Sequence, residues 1–184
     1  LLALLAVVFL ALPQSLCAQF NWKYTVEKGK IVTEVPKRAP GQTTALELRT
    51  PKMPVVRVGF VGLGMRGPGA VARWMHIPGI EVVALCDYEA KRAEACQKIL
   101  RDNSMPAAAI YSGAEGYKEL CKRKDIDLVY IATDWDHHFL VAKCAMENGK
   151  HAAIEVPSAI NLREIWTLID LSEKTRLHCV MLEN

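Results

Sequence analysis

The chain has 184 residues, with 23 Lys and Arg against 20 Asp and Glu, a formal net charge of +3 and 51% hydrophobic residues. That length and apolar share provide for an ordinary domain with its own core and exclude a disordered or low-complexity chain. Residues 19–54 hold seven basic and three acidic side chains, leaving 16 basic and 17 acidic of the total to 55–184, so the folded part offers no basic surface for nucleic acid.

Residues 1–12 are uninterrupted apolar residues, followed by Pro13 and a small or polar run to Gln19. The run is shorter than the ~20 residues that span a bilayer, but it fits the apolar region of a secretory signal. Residues 1–18 are therefore read as a signal peptide with Leu16-Cys17-Ala18 at its cleavage site, which predicts a secreted or periplasmic protein without a transmembrane span. A lipid anchor through Cys17 is the alternative, and bulky Leu16 speaks against it. With no initiator Met and no basic leader, the true N-terminus is expected upstream.

Residues 19–54 form a basic arm broken by Pro36, Pro40, Pro51 and Pro54, the composition of a linker or strap. Phe20, Trp22 and Tyr24 alternate as in a short strand, and a disordered arm with incidental aromatics accounts for them equally well. Beyond the leader, Cys86, Cys96, Cys121, Cys144 and Cys179 are odd in number, irregularly spaced and without CxxC spacing. They are expected to be buried thiols rather than a disulfide framework or a zinc site.

From residue 55 the pattern alternates. Strands are predicted at 55–61, 81–86, 109–111, 127–132, 151–155 and 178–182, and helices at 67–76, 89–101, 115–122, 138–148 and 161–174. Gly149 should stop the fourth helix and Asn161 should cap the fifth. The fold class is α/β, a doubly wound and mostly parallel Rossmann sheet over 55–184 in the order 3-2-1-4-5-6.

The first predicted strand ends in Gly62-Leu63-Gly64-Met65-Arg66-Gly67, the spacing that turns a strand into a helix around a pyrophosphate. Gly62 suits the tight turn, Gly64 a close backbone approach to phosphate, and Gly67 close packing of helix on strand. The second strand ends in Asp87, where a carboxylate accepts from the adenosine ribose hydroxyls. A 2′-phosphate ~4 Å from it meets a repulsion of ~4 kcal/mol at an effective dielectric near 20, which favours NAD over NADP. Asp87 also suits a helix cap.

The other strand ends carry Thr133-Asp134-Trp135-Asp136-His137-His138, Glu155-Val156-Pro157 and Leu182-Glu183-Asn184. An indole such as Trp135 can flank a flat cofactor ring, and an imidazole such as His138 can donate to ribose or phosphate oxygens. Core packing of Trp135 and a helix-opening His138 remain the alternative. Asp134, Asp136, His137 and His138 are ligand-type residues, but neighbours in a loop point different ways, and no metal is expected. His76 and His151 are read as structural.

These motifs resemble the Gfo/Idh/MocA oxidoreductases, and more closely glycoside hydrolase family 109, the NAD-dependent α-N-acetylgalactosaminidases and relatives. The resemblance runs from about Arg57 to Asn184. It implies that the dinucleotide is held by Met65 and Arg66 after the glycines, by Asp87, by the segment Trp135-Asp136-His137-His138, by Glu155 and Val156, and by Asn184. Two positions depart from the family's Trp-Glu-Trp-His, with Asp136 in place of Glu and His137 in place of Trp.

The resemblance further implies a carbohydrate substrate and a redox-neutral cycle. In that cycle NAD takes hydride from carbon 3 of an N-acetylhexosaminide, the group at carbon 1 is eliminated, water adds and the hydride returns. Glu155 is the implied catalytic group of this chain, and further acid and base groups belong to an α+β substrate domain absent from it. A net sugar or polyol dehydrogenase and a non-catalytic dinucleotide-binding module are the alternatives. Many dehydrogenases of the wider family carry Glu-Lys-Pro where this chain has Glu155-Val156-Pro157. A homo-oligomer is allowed for.

Overall fold

A computed structural model of the chain describes residues 23–183. The leader, Cys17, Phe20, Trp22 and Asn184 lie outside the described residues. The chain divides into two units, Leu1–Lys37 and Arg38–Asn184. In the first, β1 (Tyr24–Glu27) and β2 (Lys30–Thr33) pair antiparallel. Lys28 and Gly29 between them have φ of 50° and 75°, the doubly positive turn that matches the twist of a two-residue hairpin.

The second unit is built on six parallel strands: β3 (Val56–Val61), β4 (Ile80–Asp87), β5 (Ala109–Ser112), β6 (Leu128–Ile131), β7 (His151–Glu155) and β8 (Cys179–Leu182). Their order, β5-β4-β3-β6-β7-β8, is the doubly wound one expected. The crossovers are α1 (Gly67–Trp74), α2 (Ala90–Asp102), α3 (Gly116–Lys122), α4 (Trp135–Glu147) and α5 (Leu162–Thr175).

Alternation along the strands divides the core between the two faces. Val58, Phe60, Leu85 and Tyr130 pack with Val71 and Leu100 of α1 and α2. Val61, Cys86, Val129 and Ile131 pack with Leu120, Val141 and Met146 of α3 and α4. Cys86, Cys96 and Cys121 are buried free thiols. Burial pushes Cys86 up to about 12 and Cys96 up to about 11, so these sulfurs behave as small hydrophobes. Gly149, with φ 76°, follows α4, and Asn161 caps α5 by accepting from Glu164 N at 3.0 Å. Most boundaries fall within two residues of the predicted ones, and the largest difference is at α4, which begins at Trp135, three residues before the predicted start. The reason is Asp134, whose side chain accepts from His137 N at 3.1 Å and so opens the helix one turn earlier.

The compact unit begins at Arg38, so part of the sequence-defined arm belongs to it. Arg38 grips Glu173 of α5 through Nε and Nη2, both at 2.7 Å, while Gln42 donates to Glu173 at 2.9 Å and to Asp170 at 3.1 Å. Arg176, left-handed at the end of α5 with φ 57°, donates to Thr43 Oγ1 at 2.9 Å and to the Thr44 carbonyl at 3.1 Å. Only 3% of the Glu173 side chain is exposed, and the hydrogen bonds from Arg38 hold its carboxyl down at about 2. A carboxyl depressed in the folded state stabilises fully above its ordinary value and loses that contribution as the pH falls towards its folded value. Melting curves from about pH 5 down to about pH 2 should therefore fall more steeply for the native chain than for Glu173→Gln. The variant should melt lower near neutral pH and converge with the native chain in acid. Parallel curves would show that the strap contributes no linkage.

Candidate functional site at the carboxyl ends of the strands

The three motif glycines are not equivalent. Gly62 has φ +91°, and a Cβ on it would lie 2.4 Å from the Ala132 carbonyl carbon and from Thr133 N. A Cβ on Gly67 would lie 2.2 Å from the Gly62 carbonyl oxygen. Both therefore shape the turn itself, pressing it against the end of β6 and under α1. At Gly64 the nearest atom to an added Cβ is Arg92 Nη1 at 3.7 Å, so what keeps that position bare is the space above it, not the protein around it. Pro68 supplies the early-helix proline of α1, and among the described residues no side chain caps that N-terminus. Its N–H groups are left to meet an anion.

Asp87 serves both readings of its carboxylate. It is 5% exposed; Oδ2 accepts from Leu63 N at 2.6 Å and Oδ1 from Glu89 N at 2.9 Å. The acid thus fixes the glycine turn and the entry to α2. Each oxygen keeps a second lone-pair direction for a ribose hydroxyl.

At the ends of β6 and β7 the ring expected to meet ribose or phosphate has backbone neighbours. His138 is 1% exposed, its Nδ1 2.7 Å from the Pro157 carbonyl oxygen and its Nε2 3.1 Å from that of Thr133. A neutral imidazole donates from one nitrogen only, so the ring bonds one of these two carbonyls and packs beside the other, between the β6 and β7 loops. His137 Nδ1 lies 2.7 Å from Asp134 Oδ1, and among the described residues no three ligand-type side chains gather as a metal site. Trp135, in the first turn of α4, is 65% exposed.

Glu155 ends β7 and accepts a short hydrogen bond from the Tyr130 hydroxyl. Tyr130 is 1% exposed, with its ring 5.0 Å from Phe60 and 5.1 Å from Trp74. Burial, reinforced by the Glu155 carboxylate, drives its phenol up, so it remains a donor. Tyr130 was not among the sequence candidates. The legible signal was a phenol in an otherwise aliphatic strand, whose hydroxyl needs a partner.

These groups meet in one cleft of about 940 Å3. Gly62, Gly64, Met65, Arg66, Asp87, Trp135, His137, His138, Glu155 and Val156 line it with Thr133 of the same strand-end segment, joined by Tyr88, Arg92 and Tyr117, which sequence reasoning missed. Gly67 sits beneath the turn, and Asp136 does not line the cleft. The bare space over Gly64, the open helix N-terminus and the acid closing β4 together fit a dinucleotide.

Residues 56–183 match the family described as oxidoreductase family, NAD-binding Rossmann fold (GFO_IDH_MocA). The chain is 66% identical over 178 residues to a glycosyl hydrolase family 109 protein of Phocaeicola vulgatus, covering 95% of this chain and 34% of that one. With a family 109 protein of Bacteroides thetaiotaomicron it shares 56% identity over 166 residues, covering 90% and 36%. The chain thus spans about a third of the length of these curated relatives. Among solved structures it resembles an NAD-binding protein from Listeria innocua, with a TM-score of 0.58, 25% identity and coverage of 68% and 34%. It also resembles myo-inositol dehydrogenase from Lactobacillus casei in complex with NAD(H) and myo-inositol, with a TM-score of 0.56, 28% identity and coverage of 64% and 33%.

The glycine geometry separates binding from folding. Gly64→Val should leave the melting temperature and circular dichroism spectrum close to those of the native chain while abolishing dinucleotide binding by titration. Gly62→Ala should instead destabilise the fold by about 2 kcal/mol or more in a denaturant titration, because backbone lies where its methyl would go. Retained NAD binding in folded Gly64→Val would remove the phosphate from that place.

Proposed function

The chain belongs to the Gfo/Idh/MocA oxidoreductase family with the NAD-binding Rossmann fold, which it matches over residues 56–183, and from that premise we propose that it is the NAD-binding part of a glycosidase acting on N-acetylhexosaminides without net redox change. Two bodies of evidence support the reading: the 66% identity to a protein named for glycosyl hydrolase family 109, and the chemistry at the end of β7.

That chemistry is the observation on which the reading rests. Val156 lines the cleft and is 41% exposed, at the place where many dehydrogenases of the wider family carry a lysine. An isopropyl group moves no proton, so a net dehydrogenase would need its base from elsewhere. Glu155, oriented by Tyr130, is the ionisable group next to it, suited to hold a sugar hydroxyl or the cofactor's nicotinamide end. NAD supplies the hydride chemistry when bound. The chain's own residues hold its phosphates at the glycine turn, take its ribose at Asp87 and flank the cleft with Trp135. The remaining acid and base groups belong, on this proposal, to the part of the relatives' length that this chain does not span. The apolar run 1–12 supports export from the cytoplasm, and among the described residues no helix is long and apolar enough to cross a membrane.

Turnover of an aryl N-acetylhexosaminide by the full-length protein, followed in the NADH absorbance band, tests the proposal. Release of the aryl alcohol without net NADH is expected, and Glu155→Gln should slow turnover at least about tenfold, ~1.4 kcal/mol, with the melting temperature little changed. NADH accumulating in step with sugar consumed would restore the dehydrogenase. Cofactor bound with neither product would leave a binding module.

A further inference from the structure

Two cysteines face each other where α3 meets α4. Cys121 of α3 is fully buried and Cys144 of α4 is half-buried, both in the apolar cluster on that face of the sheet, and the Cys121 thiol donates a hydrogen bond to the Cys144 sulfur. The same sulfur accepts from Asn148 Nδ2 at 3.8 Å. Two donors thus converge on one sulfur, an arrangement that favours its thiolate.

The charges nearby belong to both helices. Lys118 of α3 and Lys143 of α4 favour the thiolate of Cys144, and Glu147 of α4 opposes it. With the hydrogen bond from Cys121 as the largest cause, the Cys144 thiol is held below its ordinary range. That hydrogen bond, and then burial, push Cys121 up. The two are therefore unlike: the outer sulfur is a nucleophile, and the inner one is a neutral thiol at its side. Cys86, Cys96 and Cys179 are each pushed up, with burial as the first cause, and are inert by comparison.

An accessible thiolate beside a second, resolving thiol is what reversible thiol oxidation requires. We propose that Cys121 and Cys144 are a redox-reactive pair, which a small-molecule disulfide closes into a cross-link between α3 and α4. The Cys144 thiolate attacks one sulfur of that disulfide, breaking its S–S bond and releasing a thiolate that takes up a proton. Cys121 then attacks Cys144 Sγ, its proton passing to the second thiolate as that group leaves. Two cysteine thiols are oxidised to one disulfide, and the incoming disulfide is reduced to two thiols. Cys121 needs no path to solvent, because the bond it attacks is brought to it by Cys144.

The cross-link lies directly behind the cleft. Tyr117, one turn before Cys121, and Val141, three residues before Cys144, both line it, so closure fixes the spacing of that wall. The export proposed above would carry the pair to a compartment where disulfides persist, and the chemistry itself does not depend on that reading.

The full-length protein, incubated folded with oxidised glutathione, then alkylated under denaturing conditions and digested without reduction, tests the pair by peptide mass spectrometry. A peptide joined through Cys121 and Cys144 is expected and should vanish with dithiothreitol, while Cys86, Cys96 and Cys179 are recovered alkylated. Cys121→Ala should stop the reaction with glutathione on Cys144, and Cys144→Ser should leave Cys121 as a free thiol. In the folded, reduced protein, Cys144 should be alkylated at least about tenfold faster than any of the other four. Should Cys121→Ala fail to fold, the native map, the alkylation rates and Cys144→Ser at its half-buried position still decide. Recovery of Cys121 and Cys144 both as free thiols, a link through Cys86, or glutathione accumulating on Cys144 of the native protein overturns the proposal.

Discussion

The amide of Leu63 and the carboxylate of Asp87 meet at 2.6 Å across 24 residues of sequence, and the cleft depends on that hydrogen bond. Leu63 is 2% exposed, so its N–H needs a partner inside the protein, and an ionised acceptor provides a stronger one than a carbonyl. The bond ties the first βα turn to the end of the neighbouring strand. With Gly62 wedged against Ala132 and Thr133, and Gly67 against Gly62, the turn touches β4, β6 and α1 together. The turn's freedom to present bare backbone at Gly64 is a product of that three-sided confinement.

The opposite wall is made rigid by different means. His138 packs between the β6 and β7 loops with a carbonyl oxygen of each beside its ring, and Tyr130 orients Glu155 from within the aromatic group of Phe60 and Trp74. Neither device presents a free polar group to solvent; each holds a neighbour that does. The cleft's mostly apolar lining carries charge at two places, with Arg66 and Arg92 beside the glycine turn and Asp134 and Glu155 towards the ends of β6 and β7. Cations suit the phosphates of a dinucleotide, and carboxylates suit the hydroxyls of a neutral sugar.

Away from the cleft, the Arg38 to Thr44 segment binds α5 through a nearly enclosed carboxylate at Glu173. The proline-rich composition of 19–54 signals irregular backbone, but it cannot distinguish a free linker from a strap. The difference lies in Asp170, Glu173 and Arg176, about 130 residues further on, and no local pattern connects them with the arm.

The sequence by itself determined the alternation of strand and helix, the six-strand doubly wound order and the three glycines with their distant acid. Each of these is written in short-range periodicity or in the backbone freedom of single residues. It also placed most of the site, because the ends of parallel strands converge in this topology whatever the side chains are. Tertiary structure decided which of those residues line the cleft and what holds them there. His138 stands between carbonyl oxygens from two separate loops, and the first turn of α4 was hidden because Asp134, not an apolar repeat, starts it. Arg92 and Tyr130 gave no motif at all. They stand beside Asp87 and Glu155, 5 and 25 residues away along the chain and brought to them by helix geometry and by strand register. Partnerships of that kind depend on distances in space, which a linear pattern does not record.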